Sequence, residues 1–161
     1  MKCKDPKIVE ILNDVLTAEL TAINQYFLHG EMCRNWGYQK LYGYIRKESI
    51  DEMRHAEAVM ERILYLDGIP NVQRLGKINI GETVKEQFQS DLALEMAALD
   101  RLNAGIAHCV NSGDNATRSL LEKILVNEEE HVDWLEAQLT LIAQVGDQNY
   151  LAQQIQKGEE A

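Results

Sequence analysis

Proline, cysteine, basic residues and long apolar runs are all scarce in this chain, and each scarcity excludes something. Pro6 and Pro70 are the only two prolines in 161 residues. Proline breaks or kinks a helix, because it lacks an N–H and its ring clashes with the preceding turn. Long unbroken helices therefore have room on either side of Pro70. The three cysteines, Cys3, Cys33 and Cys109, are odd in number and widely spaced. That pattern argues against a disulfide framework or a zinc ribbon and reads as free thiols in a reducing compartment. No apolar run approaches the roughly 20 residues that span a bilayer. The N-terminal stretch Met1-Lys2-Cys3-Lys4-Asp5-Pro6 is charged and lacks an apolar signal core, so a cytoplasmic location is expected. Lys and Arg number 16 against 26 Asp and Glu, a net charge of -10. Such a balance disfavours nucleic acid as a main partner and attracts cations, although acidity equally serves solubility alone.

What remains is an ordinary globular composition, 45% hydrophobic and 26% charged, of a length that suits one domain with a single core. Asp5 followed by Pro6 reads as an N-cap with proline at the first helical position. The first helix is expected to run to about Asn35, with Gly37 in the turn. A second covers about Gln39 to Leu66 and stops at Asp67-Gly68-Ile69-Pro70. Residues 67–81 hold Gly68, Pro70, Gly76 and Gly81 without helical period and read as a long crossover. Thr83 and Glu86 form a capping-box signal for a third helix to about Asn111. Ser112-Gly113-Asp114-Asn115 breaks the chain, a fourth helix extends to about Val145, and Gly146 stops it. Residues 149–156 suggest a short fifth helix. The fold class expected is all-α: a four-helix bundle with one long crossover, the ferritin-like arrangement, and a short C-terminal helix. Residues 1–145 form the bundle, and residues 146–161 are the last helix and tail of the same domain.

The apolar stripes of these helices contain acids. Residues spaced three and four apart share a helix face. On the first helix that face reads Ile8, Ile11, Val15, Glu19, Ile23, Tyr26. On the second it reads Leu41, Ile45, Glu48, Glu52, His55, Val59, Ile63, Leu66. The third gives Phe88, Leu92, Glu95, Leu99, Leu102, Ile106, and the fourth Leu121, Ile124, Glu128, His131, Leu135, Gln138, Ile142. A buried unpaired carboxylate costs several kcal/mol or takes up a proton, and four converging ones repel each other. A pair of divalent cations removes both problems. Glu19, Glu52, Glu95 and Glu128 carry four negative charges, and neutral His55 and His131 add nitrogen donors. One Glu-x-x-His arises often by chance. Two of them, alternating with two in-stripe glutamates on four long helices, form the ligand set of a di-iron carboxylate bundle. Mixed Glu/His ligation of paired ions suits iron or manganese better than zinc. The bland reading is a set of salt-bridged core charges. Ile50, Met53, Met60 and Leu64 form a second apolar band, which spacing alone reads as a packed interface.

At these positions the chain resembles the bacterioferritins. The stretches that carry the resemblance are Leu20-Thr21-Ala22-Ile23-Asn24-Gln25-Tyr26-Phe27-Leu28-His29, Glu48-Ser49-Ile50-Asp51-Glu52-Met53-Arg54-His55, Glu61-Arg62-Ile63-Leu64, Leu75-Gly76-Lys77, Ser90-Asp91-Leu92-Ala93-Leu94-Glu95 and Gln148-Asn149-Tyr150-Leu151. They span nearly the whole chain and include all six ligand positions. The resemblance implies iron storage in a twenty-four-subunit cage built from two-fold dimers. It implies oxidation of Fe(II) by O2 or H2O2 at a di-iron ferroxidase centre inside each subunit. Glu19 and His55 would hold one iron, Glu95 and His131 the other, and Glu52 and Glu128 would bridge. Tyr26 matches a tyrosine near that centre and is read either as an electron donor or as core packing with a satisfied hydroxyl. Met53, by resemblance, is the axial ligand of a haem b shared between two subunits, with Leu20, Ile23, Asn24 and Phe27 near its pocket. A ferredoxin reducing stored iron through the haem is the implied protein partner.

Two positions depart from the family. Arg46 and Lys47 stand where typical members carry tyrosine and histidine. That histidine, with an acid matching Asp51, can form an extra iron site on the inner surface, and a charged lysine cannot ligate there. Asn35, Asp67 and Asp133 resemble residues lining an iron-admitting pore between subunits. His29 and His108 belong to no motif and are read as structural. The competing functions are a di-iron peroxidase or oxygenase, and a haem-binding shell subunit of a mixed cage. The absence of paired Cys-x-x-Cys motifs argues against a rubrerythrin, and the presence of all six ligands argues against an inactive shell subunit.

Overall fold

A computed structural model describes residues 3–156. Its helices are α1 (Pro6–Asn35), α2 (Gln39–Tyr65), α3 (Val84–Ser112), α4 (Asn115–Val145) and α5 (Asp147–Ala152). The expected caps are present. The Asp5 side chain accepts from Lys7 N ahead of Pro6, and Thr83 accepts from Glu86 N while Glu86 reaches back to Glu82 N. Gly113 takes φ 73° after α3, a left-handed C-cap that glycine adopts without a Cβ penalty. Helix α5 lies earlier than expected. It begins at Asp147, directly after Gly146, and ends at Ala152, where the chain passes into turns instead of continuing helically to residue 156. The expected tail beyond residue 156 lies outside the described residues.

Direction follows from the contacts. Cys3 N donates to Leu66 O, so α2 ends where α1 begins. Gln25 and His29, late in α1, meet Asp91, early in α3. Thus α1 rises, α2 descends, the crossover rises, α3 descends and α4 rises. The crossover climbs along α1 on a ladder of polar side chains at positions 13, 17, 21, 25 and 29. Asn13 donates to Ile69 O and accepts from Asn71 N. Thr17 accepts from Arg74, Thr21 from Gly76 N, Gln25 from Asn79 N and His29 Nε2 from Gly81 N. The i,i+4 spacing puts every rung on one face. Both threonines donate their own protons to the carbonyl four residues back, which leaves their oxygens to receive the crossover. Gly81 cannot be replaced cheaply, since a Cβ there would collide with the backbone of Glu86 and Gln87.

The apolar core is split in two. One cluster includes Ile8, Leu12, Leu16, Val59, Ile63, Leu102 and Leu121. The other includes Tyr26, Leu41, Ile45, Phe88, Leu135 and Tyr150. On every long helix the in-stripe glutamate falls between the two clusters. The buried faces are also wider than the expected stripes. Leu12 and Leu16 are fully buried, while Ile11 and Ile23 are only partly so, because α1 contacts two neighbours, α2 and α3.

Candidate metal centre

Helix periodicity brings all six expected ligands to the gap between the two cores. Glu19, Glu52, Glu95, Glu128 and His131 are each 5% exposed or less. Their donor atoms form two quartets, Glu19–Glu52–His55–Glu128 and Glu52–Glu95–Glu128–His131. Within each quartet the donor atoms lie within 4.8 Å of one another. Glu52 and Glu128 belong to both, the two glutamates that the sequence assigns to bridging.

The quartets differ in how they are satisfied. In the second, Tyr26 Oη–H donates to Glu95, and His131 Nδ1 lies 2.9 Å from the same Glu95 oxygen. Burial works to raise the Glu95 pKa, but hydrogen bonding with Glu128 first, then His131 and Tyr26, outweighs it and holds the carboxyl below its ordinary value. His131 moves the other way. Burial would lower it, yet Glu95 overrides and pushes it up to about 9.

The first quartet is left open. His55 Nδ1 lies 3.0 Å from Glu128, 3.4 Å from Glu52 and 3.5 Å from Glu19, but makes no hydrogen bond to any of them. Glu19 Oε2 and Glu128 Oε1 are likewise buried without a hydrogen-bond partner. The other ring nitrogen, Nε2, lies 3.3 Å from Asn127 Oδ1. When Nε2–H donates to that amide oxygen, Nδ1 turns a lone pair toward three carboxylate oxygens. Such a group is repulsive unless a proton or a cation sits in its centre. Protons are one answer. Burial raises Glu19 against the hydrogen bonding of Glu52 and His55, and burial followed by the neighbouring acids raises Glu52 strongly and pushes Glu128 up to about 10. His55 is raised too, since the three carboxylates outweigh its burial.

Two clefts reach the cluster from opposite sides. One, about 210 Å³, opens between α1 and α3 beneath the crossover and has Glu19, Glu52, Glu95 and Glu128 in its wall. The other, about 370 Å³, opens between α2 and α4 beside His55 and His131.

The remaining sequence candidates separate from this cluster. Met53 is 45% exposed and Leu64 60% exposed on the outer face of α2, while Ile50 and Met60 of the same band are half-buried, so the band is only partly uncovered in the single chain. Lys47 Nζ lies 3.1 Å from Asp51 and 3.7 Å from Glu48, and Arg54 lies 2.6 Å from Asp51. Asp51 is therefore held between two cations at the rim of the larger cleft. Asn35, Asp67 and Asp133 are exposed. His108 lies 2.7 Å from Asp5, tying α3 to the start of α1.

Three features escaped the sequence reading. Glu48 sits in the expected stripe, and its carboxylate lies 3.6 Å from His131. Asp91, one turn before Glu95, is buried and lies within hydrogen-bonding distance of Gln25 at 2.7 Å and His29 at 2.9 Å. His29 accepts from Gly81 N at Nε2, so its proton lies on Nδ1, toward Asp91. Acids at i and i+4 on the buried arc were the available signal. Tyr44 stacks on Trp134 with ring centroids 3.7 Å apart, beside His131. No spacing rule joins those two residues across helices.

Residues 9–145 match the ferritin-like domain family. A bacterioferritin of Mycobacterium leprae is 53% identical over 149 residues, covering 92% of this chain and 94% of that protein. A bacterioferritin of Streptomyces coelicolor is 49% identical over 153 residues, covering 95% and 92%. One of Brucella melitensis is 40% identical over 146 residues, covering 91% of each. With its helices, its crossover and its carboxylate–histidine cluster, this chain belongs to the bacterioferritins of the ferritin-like family.

Proposed function

We propose that this protein stores iron and that each subunit oxidises Fe(II) to Fe(III) at the centre formed by Glu19, Glu52, His55, Glu95, Glu128 and His131. One observation carries this reading. Three buried polar atoms, Glu19 Oε2, His55 Nδ1 and Glu128 Oε1, converge without a hydrogen-bond partner, within a donor set whose two quartets share two carboxylates. A cation satisfies all three at once. Hard carboxylate oxygens with one imidazole per metal suit ferrous iron, which is substrate here. Four carboxylates neutralise two divalent ions.

The two quartets, which share Glu52 and Glu128, support the following roles. Glu19 and His55 hold one ion, Glu95 and His131 the other, and Glu52 and Glu128 bridge and fix their separation. Each ferrous ion gives up one electron, and O2 or H2O2 takes the pair. The chain's part is to seat both ions at short range on buried carboxylates while the two clefts leave a way in for the oxidant. Tyr26, donating to Glu95, orients that carboxylate and stands close enough to give a further electron. Loading also requires the protons on His131 and Glu128 to leave.

The wider assembly belongs to the same proposal. The exposed band of Met53 and Leu64 pairs with its copy across a two-fold axis, and two dozen chains close a cage around ferric mineral. Met53, turned away from the carboxylates, would supply a thioether to a haem b between two subunits. A ferredoxin would pass electrons through that haem to release iron. Of the described residues, those up to 145 form the bundle and those from 146 to 156 a short helix and turns of the same domain. No helix among the described residues is long and apolar enough to cross a membrane, which agrees with work in the cytoplasm. Stopped-flow absorbance after adding two ferrous ions per subunit tests the centre. A fast oxidation phase that saturates at two is expected, and a linear, unsaturating response rejects it.

A further inference from the structure

The rungs between α1 and the crossover take their polarity from two sources. Thr17 and Thr21 each donate to the carbonyl four residues back, so the helix backbone itself turns their oxygens to the crossover. Gln25 and His29 are oriented from outside, by α3. Gln25 Nε2 donates to Asp91 Oδ1 at 2.7 Å, and His29 Nδ1 lies 2.9 Å from the same oxygen. An ionised carboxylate only accepts. It therefore fixes the Gln25 amide with Oε1 toward Asn79 N, at 3.0 Å, and the His29 ring with a lone pair on Nε2 toward Gly81 N, at 3.1 Å. Turning the amide over, or moving the imidazole proton to Nε2, would set donor against donor at the crossover. Gln25, His29 and Asp91 are all buried, where such a mismatch is costly.

We propose that Asp91 is the clasp of a strap: through Gln25 and His29 it holds residues 77–81 against α1, and so gates the α1–α3 cleft that leads to the metal centre. Asp91 is a positioning residue and stands outside the ligand set. The clasp rests on the hydrogen bonds alone; the gate rests also on the centre proposed above. Residues 77–80 are exposed, so apolar burial holds them weakly. Gln87 Nε2 reaches Gly81 O only at 3.5 Å. The segment is tied below by Gly76 to Thr21 and above by the start of α3, and between those points it depends on the two rungs that Asp91 orients. Gly76 and Lys77 line the cleft whose wall holds Glu19, Glu52, Glu95 and Glu128. Loss of the shared acceptor frees Gln25 and His29 together, so both rungs open in one step, a local opening well short of global unfolding. Because both donors meet on one oxygen, a side-chain amide at this position still serves, whereas an apolar side chain of similar size does not.

Hydrogen–deuterium exchange of the full chain, read amide by amide by mass spectrometry, tests the clasp. Asp91→Leu should speed exchange at Asn79 and Gly81 by about tenfold or more, the effect of losing a buried acceptor, and leave Gly76 unchanged. Asp91→Asn should keep the wild-type pattern. No change at Asn79 and Gly81, or equal speeding at Gly76, overturns the clasp. Should Asp91→Leu not fold, the wild type in low denaturant decides: Asn79 and Gly81 should share one opening step separate from Gly76, and independent openings overturn the idea. The gate is tested by loading two Co(II) per subunit and following loss of the visible absorption to excess EDTA. Asp91→Leu should release and take up cobalt several-fold faster at unchanged affinity, because a gate alters both rates and no equilibrium. Unchanged rates with loosened amides overturn the gate, and altered affinity overturns it by moving Asp91 into the centre itself. A wild type that does not hold two Co(II) removes the centre and the gate with it, and the exchange pattern still decides the clasp.

Discussion

The two halves of the carboxylate cluster hold the same kinds of ligand in opposite condition. Around Glu95, the phenol of Tyr26 and the ring of His131 already satisfy the carboxylate, and with the shared Glu128 they keep its pKa below the ordinary value. Around His55, three acids crowd one nitrogen and three buried atoms lack hydrogen bonds. One half is organised by the protein alone. The other is frustrated until something positive fills it. A metal entering the first half must displace existing hydrogen bonds, whereas one entering the second relieves repulsion. The halves should therefore fill in order, the His55 side first.

The strongest way to break the comparison is to remove what the halves share. Glu128→Gln should abolish the fast oxidation phase, a loss of at least about a hundredfold, since even residues behind a metal ligand commonly matter by 10–100-fold. Its apo stability should change by less than about 1 kcal/mol, because Glu128, with its pKa near 10, is already neutral at pH 7. Stopped-flow absorbance and calorimetric melting of the same sample check both statements. A wild-type fast phase would remove Glu128 from the centre.

Order of filling comes next in size. Titration with Co(II), read by its visible absorption, should give a tighter first equivalent and a weaker second. His131→Ala should spare the first and weaken the second by about tenfold or more, and His55→Ala should weaken the first by a similar factor. Identical titrations for the two variants would show that the halves are equivalent.

Proton linkage sharpens the same contrast. Glu128 near 10 and His131 near 9 both lie above their unfolded values of 4.5 and 6.5. A raised pKa means that the folded state binds the extra proton, so the associated stability is complete below the unfolded value and disappears as pH rises through the folded one. Apo melting temperature should therefore fall between about pH 4.5 and 10, most steeply between about 6.5 and 9 where both groups contribute, while the metal-loaded protein stays level over that range. Metal loading at pH 7 should release protons, visible as a buffer-dependent binding enthalpy. A buffer-independent enthalpy would mean that the apo cluster is already deprotonated.

The smallest expected effect is on the satisfied half. Tyr26→Phe deletes the hydrogen bond to Glu95, which should destabilise the apo protein by about 1 kcal/mol and slow oxidation only a few-fold. A loss as large as that of Glu128→Gln would move Tyr26 from support into the reaction itself.

How much of this was legible in the sequence depended on range. The four long helices could be read because caps, prolines and glycines act within a few residues. The six ligands could be read because a charge inside a 3.6-residue apolar period is a local anomaly. The condition of each ligand could not. That Glu95 is satisfied and His55 is not depends on which side chains of other helices arrive beside them. The same holds for Asp91, which shares one residue range with Glu95 but meets His29 and Gln25 from α1. Ile11 and Ile23 were placed in the stripe although Leu12 and Leu16 are more deeply buried. A helix flanked by two neighbours buries an arc, and a single line of residues underestimates it. Helix α5 was misplaced because its few residues carry no period to measure.

The ladder on α1 also sets a rule for what lengths this chain can have. Surface loops usually tolerate added or deleted residues. This crossover is tied at five consecutive turns, by residues 13, 17, 21, 25 and 29 to partners from Ile69 to Gly81. One residue added to α1 between Asn13 and His29 would rotate every later rung by about 100°. It would swing Glu19 or Tyr26 off the centre by the same angle. Helix and crossover can therefore accept exchanges of side chain, but they can change length only together, so this stretch behaves as a ruler shared by a loop and a metal site.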